Sequence, residues 1–235
     1  MRNYFIFDGV DCRDFGVYIS GQGTFNSPAR KYDAYQVPGK DGDVIGYEKR
    51  LENAELTYPA FIYRDFENNI RRFRSFLLSR VGYKRLVDSY HPDEYRLAYH
   101  TGGVTVEATP KNDAGQFDIV FTVNPRRYLL SGESAVLFSA NGSISNPTYF
   151  DARPLLRVYG TGTLSIGGTS VTISDCDEYT DIDCEIEEAY KGTASCNDYV
   201  SVTGTEFPRL QPGANGITLG SGITRIEVTP RWWSA

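Results

Sequence analysis

Histidine is scarce in this chain of 235 residues: His91 and His100 are the only two, and both fall in the first half. Without an imidazole, the second half can assemble no Ser-His-Asp or Cys-His set. The four cysteines, Cys12, Cys176, Cys184 and Cys196, form no Cys-x-x-Cys pair. Their spacings do not make a zinc site, and reduced, buried thiols are the expectation. The sequence has no Gly-Lys-Ser/Thr phosphate loop and no His-Glu-x-x-His. Gly160-Thr161-Gly162-Thr163 begins like a dinucleotide fingerprint, but it has no third glycine in register and no helix after it, so it reads as a turn. No apolar run approaches the ~18 residues of a membrane span. The opening Met1-Arg2-Asn3-Tyr4-Phe5-Ile6-Phe7-Asp8 lacks the longer apolar core of a secretory signal, and synthesis in the cytoplasm is expected.

What is present is globular: 40% hydrophobic and 14% aromatic residues, enough for one large or two small domains. The net charge of −6 is uneven. Residues 131–235 hold 6 Lys and Arg against 13 Asp and Glu, while the first 130 residues are close to neutral. That split suggests two units, 1–130 and 131–235, with Ser131-Gly132-Glu133-Ser134 as a short linker. An acidic second half argues against a nucleic-acid ligand, because phosphate neutralisation needs basic side chains.

Period-two alternation runs through most of the chain and predicts half-buried strands. Ala54, Leu56, Tyr58, Ala60 and Ile62 share one face; so do Tyr95, Leu97 and Tyr99, then Val104, Val106 and Ala108, then Phe117, Ile119, Phe121 and Val123. Pro110 to Gly115, turn-rich, connects the last two runs as a hairpin. One segment differs: Phe66, Ile70, Phe73 and Leu77 form a helical stripe, which predicts a single helix over about 65–80 capped by Asp65 and ended by Gly82. Val37-Pro38-Gly39-Lys40-Asp41-Gly42-Asp43-Val44 reads as the tip of a long hairpin. In the second half, short strands at close intervals, with Gly167-Gly168 as a two-residue turn, predict a small β-sandwich.

Asp175, Asp177, Glu178, Asp181, Asp183, Glu185, Glu187 and Glu188 form an acidic run. Calcium is the sharp reading of such a run. Alternation with Ile182, Cys184 and Ile186 instead predicts a strand with an apolar inner face and a solvated acidic outer face. Trp232-Trp233 near the end is expected to pack back onto the protein. Arg71, Arg72 and Arg74 lie largely off the apolar stripe of the helix and read as a solvated or subunit-contact face.

In order along the chain, Phe7-Asp8-Gly9-Val10, Phe15-Gly16-Val17, the hairpin Val37 to Asp43, and Leu86-Val87-Asp88 after the helix carry a resemblance. Phe121 to Tyr128, Asn146, Ala152 to Gly160, Phe207 to Ile217 and Val228 to Trp233 extend it. The chain resembles the distal tail protein (Dit) family of siphovirus-like bacteriophages, the siphovirus tail component family. Lys40 stands where that family more often has arginine.

The resemblance implies a mainly β protein: an N-terminal β-sandwich or split-barrel-like domain with one α-helix and a long hairpin, then a C-terminal galectin-like β-sandwich. It implies a homo-hexameric hub joining the major tail tube protein to a baseplate or tail-tip protein, and beyond it a receptor-binding protein. It implies a virion structural component of the distal tail, without enzymatic activity, cofactor, membrane span or sequence-specific nucleic-acid binding. Pro38, Gly39, Lys40, Asp41 and Gly42 of the hairpin, with Arg71, Arg72 and Arg74 of the helix, are the candidate partner interface. Rival expectations are a carbohydrate-binding module of a host-recognition device and a hydrolase using carboxylates of the acidic run.

Overall fold

A computed structural model describes residues 3–21, 23, 26–63, 65–111 and 113–235, without the side chain of Lys49. Met1 and Arg2 of the opening segment and Asn112 of the hairpin connection lie outside the described residues. The chain forms two compact units, residues 1–127 with Ala235 and residues 128–234, each with its own buried apolar cluster.

The first unit contains β1 (Phe5–Phe7), β2 (Val10–Asp11), β3 (Val17–Ile19), β4 (Arg30–Gln36), β5 (Asp43–Leu51) and β6 (Ala54–Tyr63). Then come α1 (Phe66–Ser79), β7 (Lys84–Asp88), β8 (Glu94–Tyr99), β9 (Glu107–Ala108) and β10 (Ala114–Leu129). The main sheet runs β2-β1-β7-β8-β10-β6-β3, and β4-β5 is a separate two-stranded sheet. The alternation in β6 and β10 holds, and antiparallel register sets the two inward faces against each other: Phe117 opposite Ala60, Ile119 opposite Tyr58, Phe121 opposite Leu56. Aromatic rings fill the layer beneath α1. Phe15 lies 5.7 Å from Phe73 and 5.2 Å from Phe76, and Phe5 lies 5.6 Å from Phe121.

Several details depart from the sequence pattern. In β8 the buried face is Arg96 and Ala98, not Tyr95, Leu97 and Tyr99. Pairing with β7 decides this, since Leu86 opposite Arg96 is itself buried. The aromatics of β8 are covered on the other face instead, Tyr95 by the Arg85 guanidinium and Tyr99 by Tyr83. Of the run Val104 to Ala108, only Glu107 and Ala108 join a ladder. Val104 and Val106 pack against the core without strand pairing. The helical stripe buries Ile70, Phe73, Phe76 and Leu77. Asp65 does precede the helix, but its left-handed backbone (φ 42°) turns the carboxylate from the helix N–H groups onto the Asn68 amide at 2.9 Å. The helix ends at Ser79, ahead of Gly82.

The second unit contains β11 (Val136–Phe138), β12 (Gly142–Asn146), β13 (Leu155–Gly160), β14 (Gly162–Ile166), β15 (Thr169–Ile173) and β16 (Thr180–Asp183). They are followed by β17 (Glu188–Lys191), β18 (Ala194–Ser195), β19 (Val200–Val202), β20 (Gly213–Leu219), β21 (Ile223–Thr229) and β22 (Trp233–Ser234). A six-stranded sheet, β11-β21-β13-β16-β17-β18, and a five-stranded sheet, β12-β20-β14-β15-β19, enclose one core. Ile166 and Thr169 pair across the Gly167-Gly168 turn. A Cβ at Gly162 would sit 2.3 Å from the Ser221 carbonyl oxygen, so close backbone approach accounts for that glycine. Residues 131–134 do not form a loose linker. Leu130–Gly132 is a 3-10 turn with Gly132 buried. The Leu129 N–H donates to Trp232 O at 2.9 Å, and the Arg231 N–H donates to Gly132 O at 2.8 Å. Trp232 is buried in the sandwich core, and Trp233 stacks on Phe150 at 4.3 Å.

Candidate partner interface

The β4–β5 hairpin carries six exposed large apolar side chains among the described residues of the first unit. Cross-strand register places Tyr32 opposite Tyr47 and Ala34 opposite Ile45 on one face, with Tyr35 opposite Val44 on the other. Tyr35 and Ile45 are each 57% exposed, and Tyr32, Val37, Val44 and Tyr47 are exposed as well. A lone two-stranded hairpin is marginal in water, and one with apolar groups on both faces calls for a partner. The tip, Val37 to Gly42, is closed by Lys40 N–H donating to Val37 O at 3.1 Å. Gly39 and Gly42 take φ near +80°, the left-handed region that suits glycine. Pro38, Gly39, Lys40, Asp41 and Gly42 are all exposed.

Arg71, Arg72 and Arg74 are exposed on α1. Arg72 lies over the Phe15 ring and donates to Asn69 Oδ1 at 3.3 Å. Among the described residues no hydrogen bond or ion pair joins these arginines to the hairpin tip. They form two separate patches, and the exposed Leu78 and Val81 extend the helical one.

Beneath this surface, Asp88 ends β7 in a dense hydrogen-bond set. It accepts from Tyr58 Oη at 2.5 Å, from the Tyr90 N–H at 3.0 Å and from the His91 N–H at 2.8 Å, and it lies 3.1 Å from His91 Nδ1. Burial, reinforced by the Asp88 charge, pushes the Tyr58 hydroxyl well above its usual range. His100 is held by Nδ1 at 2.8 Å from Val120 O. Both histidines sit in structural hydrogen-bond positions.

The acidic run has the apolar inner face predicted for it at Ile182 and Cys184, but its outer face is not solvated throughout. Asp181 and Asp183 are buried in β16, and Ile186 is exposed. Arg157, opposite Asp181 in β13, grips that carboxylate at 2.7 and 2.9 Å. Arg231 grips Asp183 at 2.6 and 2.8 Å. Ile182 and Cys184 fill the core as the alternation predicts, and the two carboxylates lie on the opposite face, where the arginines cover them and supply the compensating charge that alternation could not show. The same sheet face stacks Arg225 over Tyr159 at 3.8 Å and Arg157 over Tyr179 at 4.3 Å. Among the described residues, no three His, Cys, Asp or Glu side chains gather as metal ligands. Among the described residues, no helix is long and apolar enough to cross a membrane.

No family model matches the sequence, and no curated protein matches it. Solved structures do. The chain superposes on the SPP1 Dit protein (gp 19.1), described as a paradigm of the hub adsorption apparatus in phages that infect Gram-positive bacteria. The TM-score is 0.74 over 100% of both chains, at 15% identity. The chain has the fold of a phage distal tail protein. A chain of the phage P2 baseplate in its activated conformation with calcium also matches, with a TM-score of 0.50 over 97% of each chain at 13% identity. The Dit fold was legible in the order of short motifs. That the hairpin turn lies between apolar flanks was legible; that Tyr32, Tyr35, Ile45 and Tyr47 stand exposed was not. The grouping of Asn26, Arg96 and Arg127 leaves no trace in sequence spacing.

Proposed function

We propose that this chain is a non-enzymatic structural subunit of a phage tail. It forms a homo-hexameric hub at the distal end of the tail tube, joining the tube protein to a baseplate or tail-tip protein. It assembles in the host cytoplasm and resides in the virion tail. The observation that carries this reading is the match over the whole of both chains to a hub protein, SPP1 Dit. The exposed apolar hairpin supports it, because a heterologous contact repeated by rotation closes into a ring. Pro38, Gly39, Lys40, Asp41, Gly42, Arg71, Arg72 and Arg74 are assigned to contacts with neighbouring subunits or tail partners. The carbohydrate reading finds less support on the six-stranded sheet, where guanidiniums already cover the ring faces of Tyr159 and Tyr179 that would stack on a sugar.

Size-exclusion chromatography with light scattering, followed by negative-stain microscopy, tests the proposal. A six-membered ring is expected, either alone or on adding the tail-tube protein. A stable dimer or trimer built through residues 131–235 overturns it.

A further inference from the structure

The β4–β5 hairpin pairs with no other strand among the described residues, so its direction is set at its two roots. On the β5 side only Glu52 and Asn53 separate it from β6, and Asn53 Nδ2 donates to Tyr83 Oη at 2.6 Å. The β4 side runs a longer way to its neighbouring strand, since among the described residues between Ile19 and Arg30 none is in a strand. There the fixed point is Asn26. Its Nδ2 donates to Glu55 O in β6 at 2.6 Å. Its Oδ1 accepts from Arg96 Nη1 at 3.3 Å and from Arg127 Nη2 at 3.4 Å, and its backbone carbonyl accepts from Arg127 Nη2. Pro28 then restricts φ, and the Glu52 N–H donates to Ala29 O at 2.9 Å to close the root.

Arg96 and Arg127 are both buried, from neighbouring strands β8 and β10. Two buried guanidiniums converging on one short side chain is costly, because each loses hydration and each repels the other. Burial and the Arg127 charge both push the Arg96 guanidinium below its ordinary range. Glu94, 3.6 Å from Arg127 Nη1, offsets part of the charge. Packing alone does not account for this arrangement, since an apolar side chain at either position would fill the same space without the desolvation cost. What the two arginines uniquely provide is several directed donors on one residue at the base of the hairpin.

We infer that Asn26, Arg96 and Arg127 form a clamp that fixes the direction in which the hairpin leaves the sheet, presenting its apolar faces to a neighbouring subunit already oriented. The inference rests on the hairpin being a subunit contact. The three are positioning residues, and they act by lowering the ordering cost that assembly would otherwise carry.

The test uses the full chain with Cys176→Ser and Cys196→Ser, and spin labels at Lys40→Cys on the hairpin tip and Asp118→Cys on the exposed face of β10. Cys12 and Cys184 stay unlabelled because they are buried. The labelled chain is diluted into excess unlabelled chain, so that only distances within one subunit are read. One sharp distance peak is expected for the parent. Asn26→Ala should lose that peak while keeping the folded circular-dichroism spectrum. Asn26→Asp gives up the donation to Glu55 O but still accepts from both guanidiniums, now with charge assistance, and should keep the peak, somewhat broadened. If Asn26→Ala fails to fold, Arg127→Gln takes its place. An unchanged peak in the folded variant overturns the clamp, whatever the oligomeric state. A lost peak restored by Asn26→Asp upholds the clamp even where the parent forms no ring, and in that case the hub reading alone fails.

Discussion

Arg231 closes on Asp183 through two parallel hydrogen bonds, Nη1 to Oδ1 at 2.6 Å and Nη2 to Oδ2 at 2.8 Å. The pair ties the segment after β21 to β16, and Arg231 adopts a positive φ of 58° to make it. Bidentate arginine–carboxylate pairs are strong because both bonds are charge-assisted and the geometry is planar. The arrangement also explains how an acidic residue can be buried on the outer sheet face of an acidic domain.

Acid should expose this pair. Burial is the largest influence and would raise the Asp183 pKa, but the Arg231 hydrogen bonds and charge together with the Glu185 and Ile186 backbone N–H groups outweigh it and hold the carboxyl below its usual range. A carboxyl with a lowered folded pKa contributes stability above its unfolded value of about 3.9, and that contribution is lost as pH falls through the folded pKa. Asp183→Asn should therefore cost about 1–3 kcal/mol at pH 7, the penalty for leaving a charged hydrogen-bonding partner unmatched. Urea unfolding of the parent and variant should show that gap narrowing as pH falls below about 4. A gap of equal size at pH 7 and pH 3 would contradict the assignment.

The two ends of the acidic run should also behave differently from each other. Asp181→Asn with Asp183→Asn removes two arginine-bound carboxylates and should lower the melting temperature. Glu185 and Glu187 lie in the exposed turn between β16 and β17, where Glu187 makes only a 3.8 Å surface contact with Arg153. Replacing both by Gln should change stability by no more than about 0.5 kcal/mol. Equal losses for the two double variants would mean that the turn carries structural charge as well.

Thiol chemistry divides the cysteines in the same physical terms. Burial pushes the Cys12 thiol up to about 12, and its Sγ accepts from the Phe5 N–H at 3.3 Å. Burial and the nearby Asp183 charge push Cys184 up to about 12 as well. Cys176 and Cys196 are only partly buried. Because the thiolate is the reactive form, iodoacetamide at pH 8 should modify Cys176 and Cys196 in the native protein, with Cys12 and Cys184 reacting only after unfolding. Peptide mass mapping distinguishes the pairs. Early labelling of Cys184 would show that β16 opens readily.

The sequence showed these elements unevenly, for reasons the structure makes plain. Strands whose inward residues are all apolar, such as Leu56 to Ile62 and Phe117 to Val123, were readable because hydrophobic alternation is the physical cause of their orientation. Where a strand buries charge, the cause is a partner distant in sequence. Arg96 faces Asn26, so alternation pointed the wrong way in β8; at β16 it gave the faces correctly, with Ile182 and Cys184 in the core, but could not show that Arg157 and Arg231 cover Asp181 and Asp183 on the other face. Gly132 looked like a linker glycine for a related reason: its neighbour, Trp232, lies a hundred positions on. The hairpin tip stood out through Pro38, Gly39 and Gly42, while the flanking apolar residues resembled ordinary strand.

Gly132 offers a direct check on how the second unit closes. A Cβ there would stand 2.4 Å from the Trp232 backbone nitrogen and 3.1 Å from its Cβ. Backbone cannot yield as a flexible side chain can, so Gly132→Ala should cost at least the ~1–3 kcal/mol of core overpacking. Trp232 fluorescence should shift to the red as the ring loses its buried position. A variant that melts with the parent and keeps its emission would show the turn at Leu130–Gly132 to be free of the chain end.

The hairpin makes the sharpest demand on the proposed function. Tyr32 and Ile45 lie on one face of β4–β5, are largely exposed, and so contribute little to the fold of a single subunit. Tyr32→Glu with Ile45→Glu should leave the melting temperature of the isolated subunit nearly unchanged. If that face meets a neighbour, burying two carboxylates there would oppose assembly strongly. Apolar and aromatic anchors at interface centres are each worth about 2 kcal/mol or more, roughly 30-fold in Kd. Light scattering should then find the double variant monomeric at concentrations where the parent is assembled, with Arg71→Glu and Arg74→Glu as the matched test of the helical patch. Loss of assembly in the arginine variant alone would move the subunit contact from the hairpin to α1. Assembly retained in both would remove both patches from the ring interface and leave them to the tail partners.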